Sequence, residues 1–162
     1  MSIDDKIVGL DGLPERLSRL ARPIVFTNGV FDLMHRGHVE YLADARALGG
    51  ALVVGLNSDS SVRLLEKGDD RPINGERDRA IMLAALESVS MVCLFAERTP
   101  LALLDHVRPD IYVKGGDYDV DRLPEAALVT SWGGRAQAIA LREGYSTTRL
   151  VEHIRALKPS AS

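Results

Sequence analysis

Five apolar runs of strand length, at 24–27, 51–56, 91–95, 111–113 and 136–141, alternate with helix-length segments at 38–48, 75–89, 100–106, 123–132 and 147–157. The runs are nearly continuous, as in Ala51-Leu52-Val53-Val54-Gly55-Leu56. A strand with one face in water carries a polar residue at every second position, whereas a strand covered on both faces does not. The pattern therefore predicts an α/β fold, a Rossmann-like doubly wound parallel five-stranded sheet in a single domain. Right-handed crossovers would then place ligands at the carboxyl ends of the strands. The length of 162 residues suits one domain with a real core. Residues 1–22 form an N-terminal helical segment in which Leu13, Leu17 and Leu20 keep helical spacing until Pro23. Residues 23–157 form the main domain, and 158–162 read as a frayed tail.

The polar residues cluster where such a fold places a site. Thr27-Asn28-Gly29-Val30-Phe31-Asp32-Leu33-Met34-His35-Arg36-Gly37-His38 follows the first apolar run and opens the first long helix. His35 and His38 fall near the first helical turn, where unpaired N–H groups and the helix dipole favour anions. Gly37 between them lets a phosphate approach the backbone. Two histidines three apart also suit a plain surface or two ligands of a zinc site. No nearby Cys, Asp or Glu completes a metal set, because Asp32 precedes the turn and Glu40 falls on another helical face. Phosphate chemistry is the favoured reading.

Further groups follow the other strands. Asn57 and Asp59 follow the second run, and Lys114-Gly115-Gly116-Asp117-Tyr118 ends the fourth. Arg142-Glu143-Gly144-Tyr145-Ser146-Thr147-Thr148-Arg149 follows the fifth, with Gly144 turning the chain and Ser146 or Thr147 able to cap a helix. Lys67 and Arg71 flank an acidic loop suited to a mobile arm over phosphates. His106 and His153 sit on ordinary helical stretches and are expected to be dispensable.

Composition removes several classes. The net charge of −3 gives no general basic surface for nucleic acid. No apolar stretch approaches a membrane span, and the start of the chain lacks a signal-peptide pattern, so a cytoplasmic location is expected. The lone Cys93, in an apolar run, reads as a buried strand thiol.

Asn28-Gly29-Val30-Phe31-Asp32 followed by His35-Arg36-Gly37-His38 resembles the signature of the HxGH nucleotidyltransferase superfamily, most closely its cytidylyltransferase-like branch. The Gly144 to Thr148 segment resembles that superfamily's Gly-Ile-Ser-Thr-Thr signature, with Tyr145 in place of an apolar residue. Lys67 ahead of Arg71-Pro72-Ile73-Asn74 matches a phosphate-binding lysine of the family, and Arg79 an arginine that faces the site. Lys114 to Tyr118, with Asn57-Ser58-Asp59, Thr99-Pro100-Leu101 and Arg108-Pro109-Asp110, looks like the adenylyltransferase domain of bacterial heptose synthesis enzymes. That likeness covers roughly residues 20–157.

The resemblance implies a catalytic set of His35, His38, Lys67 and Thr147. It implies that Asn28, Gly29, Val30, Phe31, Gly37 and Arg79 bind nucleotide, together with Lys114, Gly115, Asp117, Arg142, Gly144, Ser146 and Thr148. Asp32, Asn57, Asp59 and Arg71 are assigned to the acceptor. The implied substrates are ATP and a sugar 1-phosphate, D-glycero-β-D-manno-heptose 1-phosphate, with Mg²⁺ arriving on the ATP. The implied product is an ADP-sugar for lipopolysaccharide core, made by a domain expected to stand alone as a homodimer or larger homo-oligomer. A cytidylyltransferase using CTP and glycerol 3-phosphate or another polyol phosphate is the alternative, and a nucleotide-binding regulatory domain the non-enzymatic one.

Overall fold

The computed structural model describes residues 2–66, 70–117 and 119–157. Lys67 and Tyr118, named above, and the tail from 158 lie outside the described residues. The strands are β1 (Ile24–Gly29), β2 (Ala51–Asn57), β3 (Met91–Phe95), β4 (Ile111–Gly115) and β5 (Arg135–Ile139). All pairings are parallel, in the order β3-β2-β1-β4-β5. The chain thus builds outward from β1 in one direction, then returns to build outward in the other. The expected sheet is present.

The helices are α1 (Leu13–Ser18), α2 (Arg36–Ala47), α3 (Asp59–Leu64), α4 (Glu76–Ala84), α5 (Leu101–Val107), α6 (Pro124–Ser131) and α7 (Thr147–Ala156). Successive strand residues point to opposite faces, and the core divides accordingly. Val25, Leu52, Val54, Leu56, Val92 and Val113 pack with Leu42 and Ala45 of α2 and Leu83 of α4. Phe26, Val53, Met91, Cys93 and Tyr112 pack with Leu103 and Leu104 of α5 and Val129 of α6. Every residue of β2 is buried, which explains its unbroken apolar run. Burial also pushes the Cys93 thiol up to about 12, so it stays protonated.

Some details depart from the sequence reading. The 1–22 segment does more than form a helix: Ile7 bridges Val92, and the Val8 N–H donates to the Val92 carbonyl at 2.9 Å, covering the β3 edge. The segment read as one helix over 75–89 holds its α-helix only from Glu76 to Ala84.

The switch point between β1 and β4 opens the site. These strands pair only at Val25–Ile111 and Phe26–Tyr112, then separate. Into the gap comes the Tyr41 hydroxyl from α2, 2.6 Å from the Thr27 hydroxyl and donating to the Val113 carbonyl at 3.4 Å. A crevice at the strand carboxyl ends follows from that separation.

Candidate active site

The turn from β1 into α2 is the centre of the site. Phe31 adopts φ +48°, a left-handed conformation uncommon for an aromatic residue, so the chain reverses sharply there. Asp32 fastens the reversal. Its carboxylate accepts from Arg71 Nη1 at 2.9 Å, from the Ile73 N–H at 2.9 and 3.0 Å, and from the Asn74 N–H at 2.9 Å. Asn74 Nδ2 donates to the Asp32 carbonyl at 2.7 Å. Burial pushes the Asp32 carboxyl up, but the Asn74 and Ile73 N–H groups and the Arg71 guanidinium outweigh it, holding the group below its ordinary range. The Asp32 side chain is 4% exposed and fastened to the loop, and the residue also lines the cleft beside His38.

His35 is the N-cap of α2, and its carbonyl accepts from the His38 N–H at 2.9 Å. The helix starts at Arg36, earlier than the 38–48 pattern indicates. The two imidazoles stack with centroids 3.8 Å apart, and Phe31 meets His38 edge-on at 5.3 Å. Tyr145 lies across His35 at 6.2 Å. A Cβ at Gly37 would come within 3.0 Å of the Tyr145 Cβ and 3.1 Å of the His35 ring, so glycine is what permits this close approach.

Burial, with a smaller contribution from His35, pushes His38 down to about 4. Burial lowers His35 as well. His38 is thus a neutral ring at neutral pH, able to donate one N–H. Neither Nδ1 finds a hydrogen-bond partner among the described residues. An anionic ligand against the rings would favour the protonated form and raise both values.

That lowered value has a consequence for stability. An unfolded chain takes up a proton at His38 near pH 6.5, while the folded chain resists until about pH 4. Stability from the neutral ring is complete above 6.5 and is lost as pH falls through that interval. Relative to His38→Gln, the wild-type Tm should fall between pH 6.5 and 4. Parallel Tm profiles would show that His38 is not desolvated.

The second signature completes the wall. Gly144 has φ +88° and turns the chain into α7. The Ser146 hydroxyl caps that helix, accepting from the Arg149 N–H at 3.1 Å, and Thr147 Oγ1 donates to the Leu33 carbonyl at 3.4 Å. A 420 Å³ cleft results, bounded by Val30, Phe31, His38, Arg71, Thr147 and Thr148. Beside it, His35, Gly144, Tyr145, Ser146 and Arg149 line a 250 Å³ recess that also contains His153. His153, expected to be an ordinary helical residue, faces the site region because α7 runs past His35.

Other expected ligands take different places. Arg79 is fully buried. Its Nε donates to the Asn74 carbonyl at 2.9 Å, Nη1 to the Val30 and Asn57 carbonyls at 2.7 and 2.8 Å, and Nη2 to Asp59 at 2.7 Å. It supports the site from beneath and offers no surface to a nucleotide, which corrects the expected role. Asp59 is correspondingly the partner of Arg79, with its side chain still partly exposed. Arg71 keeps its ion pair with Asp32 while forming part of the cleft wall. Arg142 pairs with Glu40 of α2. Gly115 backs onto Tyr41 and Leu141, and Asp117 is exposed beyond β4. Asn57 Nδ2 donates to the Ser61 hydroxyl at 2.8 Å, yet Asn57, Asn28, Gly29 and Lys114 line a third cleft of 240 Å³.

The sequence profile of the cytidylyltransferase-like family matches residues 26–158, which includes both signatures. The chain belongs to that family. Over 137 residues it is 60% identical to a D-beta-D-heptose 1-phosphate adenylyltransferase of Bordetella bronchiseptica, covering 85% of each chain. It is 53% identical over 136 residues to the bifunctional protein HldE of Syntrophotalea carbinolica, covering 84% of this chain but only 28% of that protein. Among solved structures, a lipopolysaccharide core biosynthesis protein from Thermoplasma volcanium superposes with a TM-score of 0.62 at 29% identity, covering 76% of this chain and 98% of that one. As a cytidylyltransferase-like protein the chain is placed among nucleotidyl-transferring enzymes, and the adenylyltransferase relatives place it in their branch.

Proposed function

We propose that this chain is an adenylyltransferase joining ATP and D-glycero-β-D-manno-heptose 1-phosphate, giving ADP-heptose and pyrophosphate for lipopolysaccharide core. The observation that carries the reading is the 60% identity across 85% of a heptose 1-phosphate adenylyltransferase. Its chemistry suits the site. An oxygen of the acceptor phosphate forms a bond to the α-phosphorus of ATP, and the bond from that phosphorus to the β-bridging oxygen breaks. The electron pair leaves on pyrophosphate. A phosphate monoester has a second pKa of about 6, so its oxygen is already anionic and needs no general base.

The protein's task is then to align the two phosphates and stabilise charge as it moves. His38 would donate to the α-phosphate, with His35 beside it on the triphosphate. Thr147, Thr148 and the capped start of α7 would hold the opposite side, and Lys67 is proposed as a cation for the departing pyrophosphate. No group of three or more His, Cys, Asp or Glu side chains suited to a metal comes together among the described residues. Mg²⁺ is accordingly proposed to enter as part of MgATP, held by the phosphates.

No helix among the described residues is long and apolar enough to cross a membrane; action in the cytoplasm, as a homodimer or larger assembly, belongs to the same proposal. Pyrophosphate release from ATP, CTP, GTP and UTP, each with heptose 1-phosphate and with glycerol 3-phosphate, tests it. ATP with heptose 1-phosphate should exceed every other pair clearly, because buried groups matched to one base edge are left unpaired by another. Preference for CTP with glycerol 3-phosphate would overturn the substrate assignment.

A further inference from the structure

The third cleft is separate from the one at His38, and the two meet at Val30, which lines both. It lies where β1, β2 and β4 end, below the segment that leads from β3 into α5. Its polar lining includes Asn28, Asn57, Lys114, Arg98, Thr99 and Glu125. Arg98 and Glu125 belong to neither signature. They come from the β3–α5 connection and the first turn of α6, helices that cover the face of the sheet containing Phe26 and Tyr112.

From this arrangement we infer that the third cleft receives the acceptor sugar phosphate, with Lys114 and Arg98 supplying positive charge for its phosphate and Glu125 reading its hydroxyls. The inference rests on the proposed adenylyl transfer and specifies its acceptor site. Three features support it. First, in-line displacement requires the attacking oxygen and the leaving pyrophosphate on opposite sides of the α-phosphorus. Clefts that join at one residue provide two such approaches. Second, the volume of 240 Å³ is below the roughly 300–1,000 Å³ typical of pockets for drug-sized ligands, which suits one sugar phosphate better than a nucleotide. Third, the lining pairs two cationic side chains with a carboxylate and amides. A carboxylate would repel a triphosphate but can accept hydrogen bonds from vicinal hydroxyls.

The Asn28 amide is oriented for the same purpose. The buried Tyr112 hydroxyl donates to Asn28 Oδ1 at 3.1 Å, which leaves the Asn28 NH₂ as a donor at the edge of the cleft. Burial, and then the charge of Glu125, pushes the Tyr112 hydroxyl upward, keeping it protonated as that donor. This arrangement moves Lys114 from the nucleotide to the acceptor and retains Asn57 on the acceptor side. Asp32 and Asp59 are replaced there by Arg98 and Glu125.

The test measures KM for each substrate separately in Glu125→Gln and Arg98→Gln, using the acceptor that the wild type turns over. Both should raise the acceptor KM by on the order of tenfold while leaving the KM for ATP within about twofold. Arg98 is exposed, so its variant does not depend on core packing for folding. An ATP KM that rises in step, or an acceptor KM that does not move in either variant, would overturn the assignment. Calorimetric titration of heptose 1-phosphate without nucleotide separates the two levels. Binding by the wild type that both variants lose, without turnover of any acceptor, would sink the transfer reaction and leave the cleft assignment standing. No binding and no turnover would remove both.

Discussion

His38→Ala is expected to lower kcat/KM for adenylyl transfer by on the order of 100-fold or more while leaving the fold intact. The ring sits in the wall of the 420 Å³ cleft, between the edge of Phe31 and the face of His35. Before ATP binds, burial holds it neutral with its value pushed down to about 4, a donor already stripped of much of its water. Such a donor needs little reorganisation when charge develops on the α-phosphate. Removing one donor of this kind typically costs about 10²–10³ in rate. The Nδ1 atom has no partner among the described residues, so truncation orphans no protein group there. The loss should appear in kcat at saturating ATP, with circular dichroism unchanged. A near-wild-type kcat/KM would remove His38 from the reaction.

Arg79→Leu should have its largest effect on stability. The side chain has no exposed surface and serves three carbonyls and one carboxylate from the loop before α4, the β1–α2 turn, the end of β2 and α3. Leucine fills part of the volume but leaves those four acceptors without their donor, and Asp59 without its counter-charge. Breaking a buried pair on one side costs about 3–5 kcal/mol. At roughly 2–4 °C per kcal/mol for a chain of this size, Tm should fall on the order of 10 °C. Lysine cannot reproduce the planar fork and should recover only part of the loss. A Tm within about 2 °C of wild type, accompanied by loss of turnover, would instead place the guanidinium on the nucleotide, as the family resemblance implies.

These two residues show what the sequence could and could not convey. The strands were legible because double burial leaves unbroken apolar runs, most plainly in β2. The short α3 was not, because six residues with only Ser61 and Val62 buried cannot display a helical period. The family resemblance directed Arg79 toward the site, but whether that means into a ligand site or beneath it depends on where Val30 and Asn57 lie, and only tertiary structure settles that. The partners of Asp32 were hidden for a related reason. Asp32 stands beside the histidines in sequence, while its partners Arg71, Ile73 and Asn74 come from a distant loop. Arg98 and Glu125 carried no local signal at all. They enter the third cleft because the strand order brings the starts of α5 and α6 to the end of β1.

The site also couples its parts mechanically. The Asp32 network holds the left-handed Phe31, Phe31 abuts His38, and Thr147 ties α7 to the same turn through the Leu33 carbonyl. The two signatures are therefore held as one wall of the 420 Å³ cleft, and Arg79 joins that turn to α3 and α4 from below.

The most direct measurement follows the label from ATP marked at its α-phosphorus, incubated with heptose 1-phosphate and the full chain. Direct displacement predicts that the label moves into ADP-heptose, one for one with pyrophosphate released, and that none is found covalently attached to the protein. Label retained on the protein, or transfer only from CTP to glycerol 3-phosphate, would contradict the account.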